Sequence, residues 1–356
     1  MTDKKIVVDV VCPKGGLRGG VEDVIRAWTK NINPEIFDLR IMHMTPGIAY
    51  LEGYKKAYFL KEEKDVVDPN YCASGYNLFL EQLGPADICV ATNNPVMSHV
   101  CDYVRKYRNL DMKVFSWIHT EAKRYEERGN GGIREMLYAD RHLTLNAETK
   151  RQLIEADPNA IVYDIGNPII HELPVFEDEK TDERKLVFVG RLSIEKRLDL
   201  ILEAMYKAKS KWSLDIVGEG DITEEVKGWI KLMKLEKRVR LLGWMDNPLY
   251  ALKGATAVVA ASDYEGFMVS GAEALAMGKT LISTPTEGVK AYLKDGENGY
   301  FFDFDDANSL ALILDGIASG QKKIPASDIC QKSVERYLPE NYFSNLEKIF
   351  IDAYNS

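Results

Sequence analysis

Short runs of apolar and β-branched residues recur along the chain, and the stretches between them carry apolar residues at helical spacing. In the first half the apolar runs span residues 5–11, 37–43, 87–92, 113–119, 142–146 and 161–165. In the second half they span residues 185–191, 213–220, 239–244, 256–262, 279–285 and 299–305. Strands that alternate with helices in this way are typical of parallel sheets covered by helices. The pattern therefore predicts an α/β protein with two open parallel sheets.

A hydrophilic, acidic segment, residues 176–185, separates the two series of strands. We place a first domain at residues 1–168, a second at 169–338 and a final helix at 339–356, where apolar residues again have helical spacing. Open parallel sheets bind ligands beyond the carboxyl ends of their strands. We therefore expect the loops of the two sheets to face each other across a central cleft.

Composition and charge narrow the class of protein. The 356 residues include 46 Lys+Arg and 55 Asp+Glu, a formal net charge of -9, which argues against broad binding to nucleic acid. The five cysteines form no CxxC or Cys/His cluster, so neither a disulfide framework nor a structural zinc is indicated. The apolar runs fall short of the roughly 20 residues that span a bilayer, and the charged start lacks the apolar core of a secretory signal. We expect a cytoplasmic protein.

The stretch DYEGFMVSGAE, residues 263–273, places Glu265 and Glu273 eight positions apart around a turn at Gly266. The pattern predicts Glu265 at the carboxyl end of a strand and Glu273 in the early turns of the following helix. A helix start offers free N–H groups and a positive dipole end to phosphate, and carboxylates accept hydrogen bonds from sugar hydroxyls. This combination suits a nucleotide-sugar, although an acidic helix start that complements the dipole is the commoner explanation of a single glutamate.

The same stretch resembles the E-x7-E motif of retaining glycosyltransferases with the GT-B fold, in particular glycosyltransferase family 4. Further segments resemble this family in order and spacing: its G-R-L…K-G/R segment at 187–205, glycine-ended strand at 215–220, loop near the base at 241–247, amino-terminal glycine loop at 18–25 and His-bearing strand end at 116–121. The resemblance covers nearly the whole chain. It implies two facing Rossmann-like domains, the first binding the acceptor and the second the nucleotide-sugar, with a last helix that crosses back to the first domain.

A closer likeness is to the bacterial lipopolysaccharide 1,6-galactosyltransferases, through segments such as 139–146, 166–169 and 323–327. It implies a UDP-sugar donor of the galactose or glucose type. The chain departs from the family pattern at Met268, where the family usually has proline, and at Ser270 and Gly271, where bulky apolar residues are usual.

The resemblance also implies a role for four charged residues of the second half. Arg191 and Lys196, which follow the strand ending at Gly190, meet the donor diphosphate. Two cations at this edge would stabilise the charge on a departing phosphate, although a solvated helix start is the plain alternative for this segment. Glu265 is assigned to sugar hydroxyls, with a role as attacking nucleophile as the alternative, and Glu273 is assigned to the ribose.

In the first half, the family counterpart of His119 lies beside the donor sugar, where an imidazole can orient a hydroxyl; a polar residue at a strand end is the alternative. The loop KGGLRGGVED lies between a strand and a helix, and we assign Gly19 and Gly20 to the donor phosphate or sugar, because glycine allows close backbone approach. The predicted catalytic residues are His119, Arg191, Lys196 and Glu265, and the predicted donor contacts are Gly19, Gly20, Gly190, Gly218, Gly266, Phe267, Met268, Val269 and Glu273.

The resemblance thus predicts a retaining hexosyltransferase that uses a UDP-sugar and a hydroxyl of a glycan or lipid-linked acceptor in cell-surface polysaccharide synthesis. No cofactor or metal is expected, because no DxD or His cluster occurs at a suitable position. The basic and aromatic stretch 53–64 either rests on an anionic membrane, at the inner face of the plasma membrane, or is a solvated helix face. Two alternatives stay open: a non-catalytic binding subunit of the same fold and a sugar-nucleotide 2-epimerase.

Overall fold

Two units make up the chain. One contains Met1–Ile170 together with Pro339–Ser356, and the other contains His171–Leu338. The first segment of the chain thus ends at residue 170, where the sequence predicted 168. The computed structural model describes residues 4–14, 19–46, 49–60, 68–176 and 184–356.

A parallel sheet forms the centre of the first unit. Its strands are, in chain order, β1 (Ile6–Cys12), β2 (Phe37–His43), β3 (Ala57–Phe59), β4 (Ile88–Thr92), β5 (Lys113–Trp117), β6 (Arg141–Thr144) and β7 (Ile161–Asp164). The spatial order is β3-β2-β1-β4-β5-β6-β7, so the direction of winding reverses between β1 and β4. The inner strands are apolar on both faces, as parallel strands between two layers of helices must be.

Helices connect these strands: α1 (Gly20–Asn31), α2 (Pro69–Leu83), α3 (Val96–Arg108), α4 (Ala122–Glu127), α5 (Ile133–Met136) and α6 (Ala147–Ala156). The start of α2 shows how the sequence sets such a boundary. The carboxylate of Asp68 accepts hydrogen bonds from the backbone N–H groups of Asn70 and Tyr71, and Pro69 occupies the first helical position, where its missing N–H is not needed.

The second unit repeats the design. Its strands are β8 (Lys185–Val189), β9 (Ser213–Val217), β10 (Val239–Gly243), β11 (Ala257–Ala260), β12 (Thr280–Ser283) and β13 (Gly299–Phe301). Its helices are α7 (Leu198–Lys207), α8 (Thr223–Leu232), α9 (Val269–Ala276), α10 (Glu287–Lys290), α11 (Ala307–Ala318) and α12 (Ser327–Ser333). The spatial order β10-β9-β8-β11-β12-β13 reverses between β8 and β11, and the strands pair in parallel. Both units are therefore Rossmann-like.

The last helix, α13 (Pro339–Tyr354), belongs to the first unit. Phe350 of this helix meets the aromatic rings of Trp28, Phe37 and Phe115 edge-on, at centroid distances of 5.9, 6.2 and 5.5 Å. Aromatic pairs in this geometry add about 0.5–1.5 kcal/mol each beyond the area that they bury. The helix is thus anchored in the aromatic core of the first unit.

A buried charge pair joins the neighbouring strands β1 and β2 of the first sheet. Asp9 of β1 lies opposite Arg40 of β2 and accepts two of its hydrogen bonds, at 2.6 and 3.0 Å. Tyr76 donates a third bond to Asp9 at 3.0 Å. Burial nevertheless outweighs the guanidinium and raises the pKa of Asp9 to about 6.

Within the stretch 53–64, residues 53–60 do not form the helix face that one interpretation proposed. Residues 57–59 form the edge strand β3, and residues 61–64 lie outside the described residues.

The five cysteines are buried free thiols. Within the described ranges, no helix is both long and apolar enough to cross a membrane.

Candidate active site

The predicted charged residues of the second unit gather where the winding of its sheet reverses. The loop after β8 carries Arg191 and Lys196, and the loop after the neighbouring strand β11 carries Glu265. The two loops are joined by a backbone hydrogen bond from the Asp263 N–H to the Glu195 carbonyl, at 2.9 Å. Open α/β sheets bind ligands at this switch point, beyond the carboxyl ends of the strands.

Lys196 and Glu265 are in direct contact. The Lys196 Nζ lies 2.5 Å from Glu265 Oε1, and the two side chains are 22% and 13% exposed. The same oxygen accepts a hydrogen bond from the Ser262 hydroxyl at 2.8 Å. Thr284 in turn donates to the carbonyl of Ser262 at 2.6 Å. The carboxylate of Glu265 is therefore held in one orientation from two sides.

Arg191 lies exposed on the loop after β8. Its charge acts on Glu195, four residues along the loop. Burial acts to raise the pKa of Glu195, but a hydrogen bond from Ser193 and the charges of Lys196 and Arg191 outweigh it, and the pKa is lowered. The positive charges of this loop therefore stabilise the carboxylate of Glu195.

Arg197, the residue after Lys196, has a left-handed backbone with φ of 49°. A side chain in this region is uncommon, because its Cβ crowds the backbone. Its guanidinium makes ion pairs with Asp199 and Asp263, at 3.2 and 3.3 Å, and with Asp305. Hydrogen bonds to Asp199 and Asp305 raise the pKa of Arg197 above its usual value. These contacts fix the turn that presents Lys196.

Glu273 lies in the second turn of α9, with a side chain that is 2% exposed. Its Oε1 accepts two hydrogen bonds from His171, one from the backbone N–H at 3.0 Å and one from Nδ1 at 2.8 Å. The helix ends at Ala276, and Gly278 just beyond it has a φ of 69°, a left-handed conformation that glycine adopts at helix ends.

The turn between Glu265 and α9 is supported by buried side chains and by close backbone packing. Phe267 and Met268 are buried, so a ligand at this turn would meet their backbone rather than their side chains. Tyr292 donates to the Met268 carbonyl at 2.7 Å. A Cβ on Gly288 would lie 2.6 Å from the carbonyl carbon of Gly266, so a side chain there would displace the turn.

Gly218 and Gly190 have a packing role. Gly218 has a φ of 129°, and a Cβ on it would lie 1.9 Å from the carbonyl oxygen of Gly190. The loops after β8 and β9 can approach this closely because residue 218 lacks a side chain.

In the first unit, His119 lies two residues beyond β5, which ends at Trp117, so the prediction that His119 ends the strand is wrong. Its Nε2 is 2.8 Å from the Thr92 hydroxyl, and its ring meets that of Trp117 edge-on at 4.2 Å. Burial lowers the pKa of His119 to about 3, so the ring is neutral near pH 7. It can exchange hydrogen bonds but holds no transferable proton as an imidazolium.

The amino-terminal glycine loop is described only at its end. Gly19 caps α1, and Gly20 is its first residue. A Cβ on Gly20 would meet nothing within 4 Å, so the fold itself does not require glycine at that position. The other two glycines of the loop, Gly15 and Gly16, lie outside the described residues.

Comparison with known proteins adds to this geometry. Residues 170–327, which span the switch point, the turn and α9, match the family model of glycosyl transferases group 1. This segment is a glycosyltransferase domain.

Similarity extends beyond that domain. The lipopolysaccharide 1,6-galactosyltransferase of Salmonella typhimurium is 27% identical over 93% of this chain and 93% of its own length. The structure of the lipopolysaccharide outer core galactosyltransferase WaaB, in its apo form, superimposes with a TM-score of 0.81 at 23% identity, over 98% of this chain and 99% of that one. The Anabaena protein HepE, in complex with UDP, gives a TM-score of 0.77 at 15% identity, over 98% and 100% of the two chains. The predicted GT-B fold and the prediction of a glycosyltransferase are confirmed, whereas family 4 and retention stay predictions.

Sequence reasoning missed the residues that support the candidate site. Ser262 and Thr284 orient Glu265, Tyr292 and Gly288 support the turn, and His171 binds Glu273. His171 and Glu273 are 102 positions apart. No local pattern marks such a contact, because it forms only when the chain folds.

Proposed function

We propose that the chain transfers a hexose of the galactose or glucose type from a UDP-sugar to a hydroxyl of a glycan or lipid-linked acceptor in cell-surface polysaccharide synthesis, with retention at the anomeric carbon. The observation that carries this proposal is the group of Arg191, Lys196 and Glu265 at the switch point of the second sheet. Cations suit a diphosphate, and a carboxylate suits sugar hydroxyls. Similarity to the Salmonella galactosyltransferase and to HepE, whose structure contains UDP, supports the choice of donor.

The two cations would stabilise the negative charge that develops on the leaving diphosphate. When the bond from the anomeric carbon to the phosphate oxygen breaks, its electron pair stays on the diphosphate. Arg191 can bind that charge through its planar fork of donors, and Lys196 through a mobile point charge. One such preorganised contact is worth about 3 kcal/mol of the barrier.

Retention follows when the acceptor attacks from the side on which the diphosphate leaves. The acceptor hydroxyl forms the new bond to the anomeric carbon and gives its proton to the departing phosphate oxygen, so no protein base is needed. In this mechanism Glu265 orients sugar hydroxyls and Glu273 binds the ribose. The start of α9 at Val269 offers backbone N–H groups to the donor.

Arg191 and Lys196 supply the positive charge in this mechanism, so we predict that transfer requires no divalent metal. The rate of UDP release should stay within about twofold after extensive dialysis against EDTA, because the charge is held by side chains. A loss of more than tenfold that is restored by Mg²⁺ or Mn²⁺ would contradict this part of the proposal.

The proposal is tested by incubating the purified chain with UDP-galactose, UDP-glucose or GDP-mannose, with and without a glycan acceptor, and measuring free nucleoside diphosphate. We expect UDP release from one of the UDP-sugars, stimulated by acceptor, and none from GDP-mannose. A binding subunit would release nothing, and a 2-epimerase would interconvert sugars without accumulating free UDP. Either result would overturn the proposal.

A lipid-linked acceptor would bring the protein to the inner face of the plasma membrane. We propose a peripheral contact through the basic and aromatic residues around β3, where Phe59 is 42% exposed and Lys55 is exposed. Sedimentation with anionic vesicles should fall when both residues are replaced by serine. Sedimentation that is equal for neutral and anionic vesicles would remove this idea.

A further inference from the structure

Glu273 is a buried carboxylate, and His171 holds its Oε1 through two hydrogen bonds. Its side chain is 2% exposed, and Oε1 accepts both the backbone N–H and the Nδ1 of His171. Burying a carboxylate is costly unless hydrogen-bond donors replace its water. Two donors on one oxygen meet that requirement and also limit the rotation of the carboxylate.

The contact between His171 and Glu273 determines which ring nitrogen of His171 carries a proton toward the carboxylate. An ionised carboxylate only accepts hydrogen bonds, so His171 must carry a proton on Nδ1. The ring cannot turn without losing this bond, and the carboxylate cannot turn without losing two. The side chains of His171 and Glu273 therefore hold each other in one arrangement.

His171 also occupies a particular place along the chain. It is the first residue of the second unit, directly after Ile170, at which the first segment of the other unit ends. Glu273 lies 102 residues later, in the helix that follows the turn of the active site. The backbone bond from His171 thus ties the start of the second unit to this helix.

We propose that His171 is a positioning residue for Glu273: it aims the carboxylate so that it can accept hydrogen bonds from the ribose hydroxyls of the donor. This inference rests on the proposed function, in which Glu273 binds the ribose. His171 itself need not touch the nucleotide. Its contribution should therefore appear in nucleotide affinity, and it should depend on the ribose hydroxyls.

The experiment compares UDP with 2′,3′-dideoxy-UDP, which lacks both hydroxyls, on the full-length chain. Dissociation constants are measured by calorimetry for the wild type, His171→Phe and His171→Asn. Phenylalanine keeps a planar ring but has no donor. Asparagine offers an amide N–H at the position of Nδ1 and is the conservative control.

We expect His171→Phe to weaken UDP binding about tenfold or more, the usual size of a lost hydrogen bond to a charged group. It should change dideoxy-UDP binding by less than about twofold, and His171→Asn should restore most of the UDP affinity. With a UDP-sugar, His171→Phe should raise KM and leave kcat at saturating donor within about threefold. A similar pattern from His171→Ala serves if the phenylalanine variant does not fold.

Two results would overturn the inference: unchanged UDP affinity in His171→Phe, or equal losses for UDP and dideoxy-UDP, which would indicate a purely structural role. A wild type that binds neither nucleotide would instead overturn the proposed function, and the inference with it.

Discussion

At the scale of single residues, Lys196 and Glu265 carry opposite charges and meet at 2.5 Å. An ammonium has three N–H donors, so Lys196 can keep its bond to Glu265 and still donate to a phosphate oxygen. Ser262 holds Glu265 independently of the lysine. The pair can therefore present a cation to the diphosphate and a carboxylate to the sugar side by side.

Replacing Lys196 by methionine should lower kcat/KM for the UDP-sugar by about a hundredfold to a thousandfold, because one preorganised charge on the leaving group is lost. The measurement is UDP release over a range of donor concentrations. Lys290→Met is the matched control, since Lys290 forms an exposed ion pair with Glu287 on α10. If both variants kept kcat/KM within about threefold of the wild type, Lys196 would have no role in the reaction.

Part of the candidate site could be placed at this scale, since Arg191, Lys196 and Glu265 were predicted beyond strand ends, and the structure brings Lys196 and Glu265 into contact. The burial of Glu273 against His171 could not, because that contact joins distant parts of the chain. Phe267 and Met268 were predicted as donor contacts, and because their side chains are buried, a donor at this turn would meet their backbone. An apolar side chain is compatible both with contact to a ligand and with burial in the core, so the sequence could not distinguish the two for these residues.

At the scale of elements, the turn between β8 and α7 combines a strained residue with a cluster of carboxylates. Arg197 adopts a φ of 49° and pairs with Asp199, Asp263 and Asp305. The ion pairs offset a backbone conformation that glycine adopts at less cost. The apolar pattern predicts a strand and a helix here but carries no signal for the dihedral angles of the connecting turn.

Replacing Arg197 separates these two contributions. Arg197→Ala removes the ion pairs and keeps the unfavourable φ, whereas Arg197→Gly removes both, so the glycine variant should be the more stable by about 1 kcal/mol. Urea unfolding of the two variants measures the difference. An alanine variant at least as stable as the glycine variant would show that the backbone is not strained.

The edge strand β3 and the residues after β5 show where element prediction fails. Residues 57–59 are too few to give a periodic pattern, and they pair only with β2 at the edge of the sheet. The apolar run 113–119 continues past the end of β5 at Trp117, because Ile118 remains buried after the strand has ended. An apolar pattern indicates which residues are buried, and residues can stay buried beyond the last hydrogen bond of a strand.

At the scale of the whole molecule, the first unit is assembled from two distant segments, and its core contains buried histidines. His43 and His142 are each 1% exposed, and burial lowers the pKa of each to about 4. The unfolded chain binds a proton at each of them near pH 6.5, before the folded chain does. Their contribution to stability is therefore fully present above pH 6.5 and is lost as the pH falls toward 4.

This linkage predicts that the free energy of unfolding decreases between pH 6.5 and 5.5 by roughly 1 kcal/mol for each of these two histidines, and by a similar amount for His119, whose pKa is lowered to about 3. Asp9, whose pKa is raised to about 6, stabilises the folded chain over the same fall in pH and partly cancels this loss. The contribution of one histidine is therefore measured as the difference between the wild type and His142→Asn. The variant should lose about 1 kcal/mol less over this range in urea unfolding. His99→Asn, an exposed position, is the control and should follow the wild type. Parallel pH curves for His142→Asn and the wild type would contradict the account.

The central claim is that a UDP-sugar binds at the switch point of the second sheet. The most direct measurement is a crystal structure of the chain with UDP bound. We predict the diphosphate beside Arg191 and Lys196 and the ribose hydroxyls within hydrogen-bond distance of Glu273. A nucleotide bound elsewhere, with none of these three side chains in contact, would contradict the claim.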